Sequence, residues 1–93
     1  MEQIERIKQM ELRMERAAKA VMELSAALEN YEAVQEDITA LEQYYSSEAW
    51  KQDYADDEAG LLPADLKRGV LSEDGIWNLL EDAREVNKRI ERL

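Results

Sequence analysis

The sequence predicts an all-α protein: a long N-terminal helix, a short middle helix, a Pro/Gly turn region and a C-terminal helix packed back as an antiparallel hairpin or bundle. Three observations carry that prediction. No glycine or proline precedes Gly60, and the only others are Pro63, Gly69 and Gly75. Upstream of Gly60 the chain is dominated by Glu, Ala, Leu, Met, Arg and Lys, which keep their rotamer freedom on a helix surface. Apolar residues recur with helical spacing and nowhere alternate with the period of two that a half-buried strand requires. A length of 93 residues makes one domain, residues 1–93.

The first helix is marked by Ile7, Met10, Met14, Ala17, Val21, Leu24, Leu28 and Tyr31, whose steps alternate 3, 4, 3, 4, 3, 4, 3. That is a heptad stripe, which Ile4 extends upstream. Val34, Ile38, Leu41 and Tyr45 follow after one extra step of three, a stammer that overwinds a coiled coil and rotates its stripe. A continuous helix over residues 2–45 would reach about 65 Å at 1.5 Å per residue. Arg6 and Arg13 at g positions and Glu11 at an e position border a narrow seam. Further along, Ala18, Ala20, Ser25 and Ala27 occupy those flanks, widening the apolar face enough for several helices to pack on it.

A second helix is expected to start near Ser46 or Ser47, either of which can cap exposed amides; a helix running on through both serines is the alternative. It places Trp50 and Tyr54 on one face and ends before or among Asp56, Asp57 and Glu58, acids that oppose the dipole at a helix C-terminus. Leu61 to Gly69 reads as a brief helical turn, with Pro63 first in it and Gly69 in the left-handed position that follows. The final helix starts at the N-cap Ser72, with Glu73 and Asp74 complementing its dipole and Leu71 and Ile76 forming a hydrophobic staple. Gly75 weakens its first turn by up to about 1 kcal/mol relative to alanine. Ile76, Leu79, Ala83, Val86, Ile90 and Leu93 form its apolar face, which Trp77 and Leu80 broaden.

At about 31 Å, the last helix would cover only part of the first. The uncovered seam is the expected self-association face: Ile4, Ile7, Met10, Met14, Ala17, Val21, Leu24 and Leu28. A second copy is the partner always present at equal concentration, so a homodimer is expected, parallel or antiparallel.

Composition excludes several functions. Acidic residues number 22 against 12 basic ones, a formal charge of −10. This disfavours nucleic acid and anionic membrane surfaces as partners. The whole imbalance lies in residues 20–66, where Lys51 stands against twelve acids. Such a segment either steers a basic partner protein or serves solubility. Cysteine and histidine are both absent, which removes a disulfide framework, an ordinary zinc site, a thiolate nucleophile and an imidazole base. The start has neither an apolar signal region nor a spanning segment, so the expected location is the cytoplasm. Asp53, Asp56, Asp57 and Glu58 suggest a cation site, but a calcium loop beginning at Asp53 would have Ala55 and Ala64 where ligands belong. Tyr44, Tyr45, Trp50, Tyr54 and Trp77 flank the helix breaks, as a recognition surface or as plugs where helices diverge. No carboxylate pair sits in an evident apolar pocket, so no catalytic, cofactor or metal residue is assigned and no enzyme activity is expected. A self-associating protein-interaction module is the leading expectation. A ligand- or cation-binding module around residues 44–60 is the alternative.

Met1 to Ile7, the Tyr44-Tyr45-Ser46-Ser47-Glu48-Ala49-Trp50 junction, and above all the run Leu62-Pro63-Ala64-Asp65-Leu66-Lys67-Arg68-Gly69-Val70-Leu71-Ser72-Glu73-Asp74-Gly75 carry a resemblance. On these residues the chain resembles a bacterial family of short acidic proteins, the domain of unknown function number forty-two ninety-eight. The resemblance covers essentially the whole chain and implies an all-helical cytoplasmic protein. It brings no catalytic residue, cofactor or substrate.

Overall fold

The computed structural model describes residues 2–93, and over these the protein is all-α. Helix α1 spans Glu2–Ala33, α2 Gln35–Tyr45, α3 Glu48–Glu58 and α4 Glu73–Arg92, with a single 3-10 turn at Gly69–Leu71 before α4. The chain divides into two compact units, residues up to Gln35 and Glu36–Leu93.

The first unit is α1. Glu2 and Glu5 in its first turn complement the helix dipole. The expected continuous helix to residue 45 ends instead at Ala33, at the place of the extra step of three in the apolar stripe. Glu29 and Glu32 oppose the dipole at this C-terminus, so the break is favoured from its far side, where Glu36 and Asp37 in the first turn of α2 suit a new N-terminus. The helix tightens there, with the Val34 amide donating to the Tyr31 carbonyl at 3.3 Å, and the Gln35 side-chain amide donates to that same oxygen at 3.0 Å. None of the described α1 residues is buried.

The second unit holds α2 from Glu36 onward, α3, the 3-10 turn and α4. Helices α2 and α3 are separate, which settles the Ser46-Ser47 question. Ser47 is the N-cap of α3: its hydroxyl accepts from the Trp50 amide at 3.2 Å and donates to the Tyr44 carbonyl at 2.6 Å. Ser46 turns back, donating through its hydroxyl to the Glu42 carbonyl at 3.0 Å. Helix α3 carries all three acids and stops at the last, Glu58.

What ends α3 is Gly60, the one described residue with a clearly left-handed backbone, at φ 73°. The Gly60 amide donates to the Asp57 carbonyl at 3.0 Å and the Leu61 amide to the Asp56 carbonyl at 2.9 Å, the paired bonds of a Schellman motif. Neither the left-handed position expected at Gly69 nor the helical turn expected over residues 61–69 is present. Gly60 immediately follows the last turn of α3, where the free carbonyls need closing, whereas Gly69 opens the 3-10 turn. Residues 61–68 form a non-helical connection whose Leu66 amide donates to the Pro63 carbonyl at 3.2 Å.

Helix α4 starts as expected. The Ser72 hydroxyl accepts from the Gly75 amide at 3.2 Å, and Leu71 and Ile76, the residues of the staple, are both buried. The core of this unit is Trp50, Leu71, Ile76, Leu80 and Ala83. The buried line on α4 therefore passes through Leu80, while Leu79, Val86, Ile90 and Leu93 of the expected face are exposed.

Candidate functional site

Two groups of residues were expected to carry function, and they lie in different units. In α1, helical periodicity alone aligns the candidate self-association residues. Ile4, Ile7, Met10, Met14, Ala17, Val21 and Leu24 are exposed, and only Leu28 is half-buried. Met14 and Val21 keep 63 % and 67 % of their surface open, so this is an apolar seam facing solvent.

The aromatic junction has the opposite character. The rings of Tyr45 and Trp50 meet edge to face with centroids 4.9 Å apart, and Trp50 stacks on Tyr54 at 5.2 Å. Trp50 is buried, and its indole N–H donates to the Val70 carbonyl at 2.9 Å, tying α3 to the 3-10 turn. Tyr44 donates its hydroxyl proton to the Asp53 carboxylate at 2.6 Å. That bond, then burial and the charge of Asp53, push the Tyr44 pKa up to about 12. Trp77 stands apart from the ring stack, half its surface exposed on α4. Four of the five junction aromatics are thus joined into packing or hydrogen bonds.

The acids of the same region are committed as well. Asp53 holds Tyr44, Asp56 accepts from the Gln52 side chain at 2.9 Å, and Asp57 pairs with Arg68 at 2.9 Å. Arg68 is the functional-region residue that sequence reasoning missed, placed there only within the Leu61 to Gly69 turn. Its guanidinium bridges Asp57 and the Pro63 carbonyl, the latter at 2.7 Å, and so closes the connection between α3 and the 3-10 turn. The sequence offers only opposite charges eleven residues apart, with Lys67 beside Arg68 as an equal candidate. Beside this clamp, Tyr54, Asp57, Glu58, Arg68, Leu71, Ser72, Glu73 and Asp74 line an open cleft of about 440 Å³. The carboxylate of Glu58 raises the Tyr54 pKa, helped by desolvation and by Glu73. Among the described residues no group of three or more Asp or Glu is placed to hold a metal ion, and no helix is long and apolar enough to cross a membrane.

An all-α chain with a free heptad seam and an internally satisfied aromatic junction is the class of protein these features define. The family follows from the comparison with family models. Residues 7–92 match the model for domain of unknown function 4298, and the chain belongs to that family. No curated protein and no solved structure matches the chain.

Proposed function

We propose that this protein is a self-associating, non-catalytic interaction module, and that α1 is the face through which it binds a second copy of itself. The observation carrying this reading is the exposed seam from Ile4 to Leu24. Covering one Leu-sized side chain is worth roughly 1.5–3 kcal/mol, so several of them together supply a strong drive to associate. Two further observations support a non-catalytic role: every buried side chain among the described residues is apolar, and the shifted tyrosines are moved away from neutrality. In this reading the protein works in the cytoplasm, and its acidic segment maintains solubility while attracting any basic partner protein at long range.

The methionines of α1 test the proposal. Met10 and Met14 lie on the seam, whereas Met22 lies beside it, and all three are exposed in the single chain. Hydroperoxide treatment followed by peptide mass spectrometry is expected to oxidise Met22 several-fold faster than Met10 and Met14, with the difference vanishing on dilution. Equal rates for all three at high protein concentration would contradict a paired α1.

A further inference from the structure

We propose that the two α1 helices pair antiparallel, crossing near Lys19; this rests on the self-association just proposed and specifies its geometry. Charge supplies the first argument. All the bases of α1, Arg6, Lys8, Arg13, Arg16 and Lys19, lie at or before Lys19, and beyond it the helix carries Glu23, Glu29 and Glu32 with no base. Parallel pairing sets those three acids of one copy beside the same three of the other. Antiparallel pairing about Lys19 keeps those acids apart and sets them against the half of the second helix that carries all its bases.

Side-chain volume supplies the second. In the antiparallel register each large seam residue meets a different one: Ile7 with Tyr31, Met10 with Leu28, Met14 with Leu24, and Ala17 with Val21 of the second copy. Three of these layers join two different large residues, and Ala17 is set against the larger Val21, so no layer pairs two alanines or two tyrosines. A parallel pair would instead stack Ala17 on Ala17, leaving a gap, and Tyr31 on Tyr31, crowding the layer. Its compensation is an Arg6–Glu11 pair on each flank, and exposed ion pairs of this kind contribute little. The small flanking residues Ala18 and Ala20 fall at the crossing, where each meets its own counterpart and lets the backbones approach.

Because the chain contains no cysteine, single cysteines report the geometry directly. Ala20→Cys places two thiols across the crossing, within disulfide reach, only in the antiparallel register. Gln3→Cys, at a d position near the helix start, places them together only in a parallel pair; antiparallel, they stand about 48 Å apart. Under mild oxidation Ala20→Cys is expected to form a covalent dimer and Gln3→Cys to remain free. Crosslinking of Gln3→Cys alone overturns the antiparallel geometry while leaving self-association intact, and crosslinking of neither in a protein that sediments as a dimer overturns the register. A monomer in sedimentation of the reduced variants and the parent chain overturns the self-association on which both rest.

Discussion

Trp50 is the residue on which the second unit turns, because it combines a buried ring, two aromatic contacts and a hydrogen bond from its indole N–H to Val70. Trp50→Ala is expected to cost about 3–5 kcal/mol in urea unfolding, the usual range for emptying an aromatic site. The three glycines divide by environment. Gly60→Ala forces a left-handed alanine and should destabilise by about 1–2 kcal/mol. Gly69 has open space around a new Cβ and no left-handed backbone, so Gly69→Ala should stabilise by about 0.4–1 kcal/mol. At Gly75 a Cβ would press on the Ser72 hydroxyl at 3.3 Å, the group that caps α4. The propensity gain expected of alanine is offset there, and Gly75→Ala should leave the urea midpoint nearly unchanged. For Tyr44 the folded pKa, about 12, lies above the unfolded value near 10. Its contribution is therefore complete below pH 10 and lost as pH rises toward 12. Tyr44→Phe should remove the late step from a spectrophotometric tyrosine titration; persistence of that step would assign it elsewhere.

Among the elements, what could be read in advance depended on whether the signal was local. The Ser72 cap of α4, the Trp50–Tyr54 pair and the all-helical composition each rest on residues a few positions apart, and each is present in the structure. The break after Ala33 was visible as a phase shift in the apolar stripe, yet a stammer and a turn give the same spacing, and only Glu36 and Asp37, acids that suit a helix N-terminus, point to a break. The end of α3 shows a different limit. Gly60 and Gly69 are both plausible left-handed positions, and the choice depends on where the carbonyls of α3 stop. The Arg68 clamp was illegible because Asp57 lies eleven residues away and the bond depends on the path of the connection. As for the candidate site, the seam residues were identifiable from periodicity because a helix aligns them by itself. The structural employment of Tyr45, Trp50 and Tyr54 required the fold. Removing the N-cap of α3 by Ser47→Ala should cost about 1 kcal/mol by urea denaturation.

At the scale of the molecule, the two units differ in how they are stabilised. The second has its own buried core of Trp50, Leu71, Ile76, Leu80 and Ala83, whereas α1 has no buried residue of its own. An isolated helix gains most of its stability from packing an apolar face, so α1 has the most to gain from a partner. The net charge of −10 opposes association at long range and the exposed seam favours it at contact. Salt should accordingly strengthen the pairing where repulsion between acidic segments dominates. Sedimentation equilibrium at micromolar concentration tests the central claim most directly: two chains of 10.8 kDa in one particle are predicted, and a particle of one chain across the concentration range would contradict it.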